Sequence, residues 1–139
     1  MRYDVHCSGL NELRRELEKA GDVPPEVRKE MAAEMADVTE KSLVYFSATM
    51  LQGPYYEGDV ARSVKAQKPR ATKGGATCQV KFEGEAHGNR VAEIAFINQF
   101  GKKSQPPRQF ITRSEKESGN PAAEKASEVL DKWLKQNRL

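Results

Sequence analysis

Cysteine and histidine are scarce in this 139-residue chain, which carries two of each. Cys7 and Cys78 sit in neither a CxxC pair nor any repeated spacing, so the sequence indicates neither a disulfide framework nor a zinc site. Both read as ordinary small core or surface thiols. His6 beside Cys7 would supply two ligands at most, where structural zinc generally takes four, and no metal is expected. Long apolar runs are lacking as well. No stretch approaches the roughly 20 apolar residues that cross a bilayer, and no basic segment followed by an apolar run stands near the start. A soluble, unsecreted protein without a membrane partner is expected. Nor is the inventory of an enzyme present. Ser63 and Ser104 have no histidine nearby in the sequence, no GxSxG turn occurs, and Gly74 and Gly75 lack the GKS or GKT ending of a phosphate loop. Most glutamates recur on outward helix faces, where solvated charge is ordinary. No catalytic residue, cofactor or enzymatic activity is expected.

What the chain has in quantity is charge. A charged share of 31 % against an apolar share of 37 % describes a thin core under a wet surface, and such chains often complete their burial against partners. The length fits one domain, 1–139. The net charge of +3 hides a division along the chain. Residues 1–61 carry 7 basic and 12 acidic side chains, residues 62–113 carry 11 and 3, and residues 114–139 carry 5 and 5. The middle is strongly basic. A block of this kind faces nucleic acid, the acidic segment of a neighbouring copy, or simply solvent.

Ser8 followed by Leu10, Leu13, Leu17 and Ala20, with Gly21 as a stop, predicts a short amphipathic helix over about 9–20. Pro24 and Pro25 then open a long helix, 25–50, whose inner stripe is Val27, Met31, Met35, Val38, Ser42, Tyr45 and Phe46. Met31, Met35 and Met50 read as core filler, or as a surface that adapts to partners. This helical pair occupies 1–52. An ordered loop with Tyr55 and Tyr56 follows, and an aromatic pair in such a setting is an interface candidate. Between 58 and 113 the period changes to two. Cys78, Val80 and Phe82 alternate with polar residues as in a strand with one dry face. Val60 to Ala66 is a weaker strand, and Lys68 to Ala76 reads as a mobile hairpin tip. Val91 to Phe100, apolar on both parities, reads as a central strand covered on each side. Gly101 to Pro107 forms a second basic loop, and Gln109 to Thr112 a short edge strand. Asn120 and Pro121 open a final helix over 120–137, with Ala123, Ala126, Leu130, Trp133 and Leu134 in one stripe and Trp133 as an anchor against the sheet. The expected fold is α+β: an antiparallel sheet of about four strands packed with a long N-terminal helix and a C-terminal helix.

Three segments, read in order, resemble the tail-completion or head-to-tail joining proteins of long-tailed bacteriophages. The first is the helical pair, opened by Gly9, Leu10, Asn11, Glu12 and Leu13. The second, Gly58 to Val64, is similar to the family's threonine-glycine-x-leucine-x-x-serine turn, with Glu57 in place of the threonine. The third runs Ala95, Phe96, Ile97, Asn98, Gln99, Phe100, Gly101, then a polar loop, then Pro106, Pro107, Arg108, Gln109, Phe110, Ile111, Thr112, Arg113 and a terminal helix. It is similar to the family's strand ending in valine-glutamate-tyrosine-glycine and its alanine-arginine-proline-phenylalanine-leucine-arginine-proline run. Asn98 and Gln99 depart from the acidic approach to the glycine, and Gln109 from a proline. Gly58, Gly101, Pro106, Pro107 and Phe110 carry the structural part of this likeness. Glycine after the apolar run permits a tight reversal, the prolines stiffen the return, and Phe110 with Ile111 anchors it.

The resemblance implies a tail-terminator-like fold and a homo-oligomeric ring, commonly hexameric, placed in the virion between connector and tail tube after assembly in the bacterial host cytoplasm. Its partners would be connector, neck or tail-tube proteins. Ring closure needs two different patches that meet, and the acidic helical part against the basic middle is one candidate pairing. Arg70, Lys73, Lys102 and Lys103 are then expected on loops facing DNA in the channel or adjoining neck proteins. The rival reading is a small basic nucleic-acid-binding module, against which stands the absence of a legible helix-turn-helix or interleaved aromatics.

Overall fold

The computed structural model describes residues 23–51 and 58–137, together with the backbone of Arg2–Tyr3. The helix expected over 9–20 and the loop bearing Tyr55 and Tyr56 lie outside the described residues.

Helix α1 runs Pro25–Met50. Pro25 occupies the first turn, where its missing amide costs nothing, and the Pro24 carbonyl accepts from Val27 N–H and Arg28 N–H at 3.1 and 3.2 Å. Its buried face is Met31, Ala32, Met35, Ala36, Thr39, Leu43 and Ser47, a stripe two residues wide at helical spacing. Thr39 returns its hydroxyl to the Met35 carbonyl at 3.1 Å. Tyr45, expected on the inner stripe, is instead 62 % exposed, because Leu43 and Ser47 face inward in its place.

Beyond Gly58, a five-residue helix α2 (Asp59–Ser63) leads into strand β2 (Val64–Ala66). The run 60–66 expected as one strand is therefore divided. Val60 and Ser63 point inward at a spacing of three, and Ser63 Oγ donates to the Val60 carbonyl at 2.7 Å, which closes a helical turn. Strands β3 (Arg70–Thr72) and β4 (Gly75–Thr77) make a hairpin turning at Lys73 and Gly74. Strand β5 (Val80–Phe82) lies at the centre of a three-stranded antiparallel sheet, between β1 (Arg2–Tyr3) and β2. A second small hairpin, β6 (Glu85–Ala86) with β7 (Asn89–Arg90), turns through His87 and Gly88, both at positive φ as a two-residue turn requires. The fold is α+β as expected, but its strands form one three-stranded sheet and two separate hairpins rather than a single sheet of four.

The segment read as a covered central strand is a helix, α3 (Val91–Phe100). Val91, Ala92, Ala95 and Gln99 are buried, at steps of one, three and four, while Glu93, Phe96 and Phe100 face out. Apolar residues on both parities do not distinguish a buried strand from a helix, and here the burial follows the helical period. The last helix also begins earlier than expected. Helix α4 is continuous from Phe110 to Asn137, so the predicted edge strand at 109–112 is absent and Pro121 lies inside the helix. Losing one amide donor is outweighed by a buried seam that runs across the proline without a break in period: Phe110, Ile111, Ser114, Ser118, Ala122, Ala126 and Leu130.

Helices α1 and α4 pack antiparallel, with small residues at the contact. Ser114 Oγ donates to Ser42 Oγ at 2.8 Å, and Ser42 Oγ donates to the Ser114 carbonyl at 3.3 Å. Arg113, one residue earlier, stacks its guanidinium 6.0 Å from the Phe46 ring centroid. Two core clusters result. One gathers Leu43, Leu51, Val60, Val64, Val80, Phe82, Val91, Ala95 and Phe110, with Phe82 edge-on to Phe110 at 6.0 Å between centroids. The other, toward the start of α1, gathers Val23, Met31, Met35, Ala122, Ala126 and Leu130. Met31 and Met35 fill core. Trp133 packs against this second cluster, which contains no strand residue, and not against the sheet, which corrects its expected place.

Candidate interface surface

Gly101, at the end of α3, has φ +80° and ψ 176°, a conformation essentially closed to any other residue. A Cβ there would fall 2.7 Å from Pro107 N and 2.9 Å from the Gln105 carbonyl oxygen. The chain then reverses over Lys102 to Gln105, where Lys102 N–H donates to the Gln105 carbonyl at 2.9 Å and Gln105 N–H to the Lys102 carbonyl at 3.0 Å.

Two carboxamides hold the return limb. Gln105 Nε2 donates to Asn98 Oδ1 at 3.1 Å, while Asn98 Nδ2 donates back to the Ile94 carbonyl at 2.9 Å. Gln99 is 5 % exposed and spans the junction between α3 and α4. Its Oε1 accepts from Ile111 N–H at 2.7 Å and Thr112 N–H at 3.3 Å, and its Nε2 donates to Thr112 Oγ1 at 2.6 Å. A helix start leaves amide donors without partners, and the buried start of α4 is served by a side chain from the preceding helix. The backbone adds Arg108 N–H to the Asn98 carbonyl at 2.8 Å and Gln109 N–H to the Gln99 carbonyl at 3.2 Å. The loop 101–109 is thus fixed at both feet.

On this rigid base, Lys102 and Lys103 stand exposed, and Phe100, Gly101, Ser104, Gln105, Pro106 and Pro107 complete a shallow open depression around them. Just before it on α3, Phe96 and Phe100 touch with centroids 4.8 Å apart and planes tilted by 50°, while remaining 47 % and 59 % exposed. The sequence reading missed both rings, because a strand covered on each side would have buried them. Their i, i+4 spacing beside the inward set Val91, Ala92, Ala95 and Gln99 was the available clue.

Arg70 and Lys73 lie elsewhere. They are exposed on the β3–β4 hairpin, which is ordered by Arg28: its Nη1 donates to the Thr72 carbonyl at 2.9 Å and the Gly75 carbonyl at 3.2 Å, on either side of the turn. The tip that read as mobile is therefore tied to α1. Arg28 and Phe46, which mark where the hairpin and the start of α4 meet α1, are 18 residues apart, roughly 27 Å along a helix. The structure does not bring the two lysine-bearing loops together. Gly58, at φ +80°, precedes α2, whose Asp59 accepts from Arg62 at 2.8 Å and lies 3.3 Å from His87 Nε2. Phe110 is fully buried. Among the described residues no three His, Cys, Asp or Glu side chains converge as a metal site, and no helix is long and apolar enough to cross a membrane.

Neither a protein family, nor a curated protein, nor a solved structure matches this chain.

Proposed function

We propose that this chain is a non-enzymatic structural subunit of the head-to-tail junction of a long-tailed phage or prophage, acting by ring assembly and by docking to neck and tail proteins. The observation that carries this reading is the locked segment 98–112. A glycine reversal, a proline-stiffened return and a buried phenylalanine-isoleucine anchor follow one another in the order of the sequence likeness, although the run leading into the glycine is helix α3 where the likeness has a strand. Gln99 makes that segment rigid enough to present the same contact on every copy. Such a subunit works by shape. Its chemistry is docking: apolar area from Phe96 and Phe100, with register set by Lys102 and Lys103.

The expected consequence is that reversing Lys102 and Lys103 to glutamate lowers the yield of infectious particles from a phage that encodes the chain, with heads and tails accumulating unjoined. Normal yield would reject the assignment of these lysines.

A second reading is favoured by one observation. Phe96 and Phe100 are exposed beside two lysines, and single-stranded nucleic acid binders use exposed aromatic rings, on which bases stack, next to cations. Light scattering beside a DNA shift assay separates the two. Concentration-dependent closed assemblies without tight DNA binding support the junction subunit, whereas a nanomolar monomeric binder with steep salt dependence supports the nucleic-acid module.

A further inference from the structure

The four exposed large apolar side chains among the described residues fall into two pairs, Phe96 with Phe100 on α3 and Val44 with Tyr45 on α1. Beside the first pair stand Lys102 and Lys103. From the second toward the start of α1, the same outer stripe carries Lys41, paired to Asp37 at 2.9 Å, then Asp37, Glu34, Glu30 and Glu26, all exposed except the half-exposed Glu34. Each pair is thus an apolar patch with charge to one side, basic beside the first and net acidic beside the second, where four carboxylates stand against Lys41.

We infer that the Phe96–Phe100–Lys102–Lys103 surface of one copy receives the outer stripe of α1 of a second copy, Val44 and Tyr45 against the rings and Asp37 with Glu34 against the lysines. This rests on the ring-subunit reading and names its subunit contact. The patches are different surfaces of one chain, so the contact is head-to-tail, the type that closes into a ring. The other acidic face, Glu124, Glu128 and Asp131 on α4, is a poorer match. No exposed large apolar residue accompanies that face. The Asp37–Lys41 ion pair, 2.9 Å and exposed, costs little to rearrange.

Charge reversal with rescue tests the contact. Sedimentation velocity over a concentration series compares the unaltered chain with K102E/K103E, with E34K/D37K, and with the variant carrying all four changes; circular dichroism checks that each is folded. Each double variant is expected to weaken self-association about ten-fold or more, and the four-fold variant to return most of it. F96S/F100S is expected to weaken it without rescue by any charge change. A four-fold variant as weak as the doubles overturns the pairing. Unchanged association in both doubles also overturns it, while leaving a ring built through other surfaces. An unaltered chain that stays monomeric throughout removes both the contact and the ring reading. Lysine reversal that abolishes binding to a single-stranded oligonucleotide while self-association persists assigns the surface to nucleic acid and overturns the inference.

Discussion

Gln99 and Gly101 are the two residues on which the site's geometry turns, for different reasons. Gln99 is the buried partner of two amide donors and one hydroxyl, so an apolar side chain of similar size strips the buried Ile111 N–H of its acceptor and removes the two bonds to the exposed Thr112. Gln99→Leu is expected to lower stability by about 2 kcal/mol, read from denaturant unfolding. Gly101→Ala combines a forbidden backbone region with a backbone clash at Pro107, and its expected loss is about 2 kcal/mol or more. A loss under about 0.5 kcal/mol in either would show that the junction is not held as described. Cys78 offers a separate check. Burial first, and then the Glu40 carboxylate, raise the pKa of its thiol, whose Sγ donates to the Gln67 carbonyl at 3.1 Å. The folded state therefore favours the protonated thiol, and its contribution to stability is lost as pH rises past the unfolded thiol's range. In a Cys7→Ser background, alkylation of Cys78 near neutral pH is expected to be slower than that of an unstructured cysteine peptide. Glu40→Gln is expected to speed it, and equal rates would contradict the assigned environment.

At the scale of elements, α1 was legible because its proline opening and its apolar spacing agree, and its limits at 25 and 50 follow from local chemistry. Strand β5 was legible for the same reason, with Val80 and Phe82 buried on one side. The sequence misled at α3 and at the start of α4. Ile94, Ala95, Phe96 and Ile97 suit either period, and the deciding fact, that Gln99 turns inward to serve the next helix, is a tertiary contact with no local signature. Asn120 and Pro121 look like a helix start, yet packing against α1 carries α4 through them. This makes Pro121 a stability reserve. Pro121→Ala restores a donor and removes a steric conflict at a solvent-facing position, so it is expected to raise stability by up to about 3 kcal/mol, measured as a higher midpoint of thermal or denaturant unfolding. A fall would mean that the proline fixes a geometry the α1–α4 seam depends on.

Across the whole molecule, the division of charge read from the sequence takes a definite form. Acid predominates on the outer stripe of α1, broken by Lys41, while Arg70 and Lys73 sit on one anchored loop and Lys102 and Lys103 on another; Arg62, Lys65, Lys81, Arg90 and Arg113 of the basic block lie on helices and strands. Exposed aromatic area was the unread part. It required knowing that α3 is a helix, and it adds an apolar centre to the docking surface proposed above. Native mass spectrometry of the full chain over micromolar to sub-millimolar concentration bears on the central proposal most directly. A ring subunit is expected to give one closed oligomer of fixed stoichiometry, six copies if the likeness to joining proteins holds. A monomer throughout, or an open ladder of sizes without a preferred closure, would contradict it.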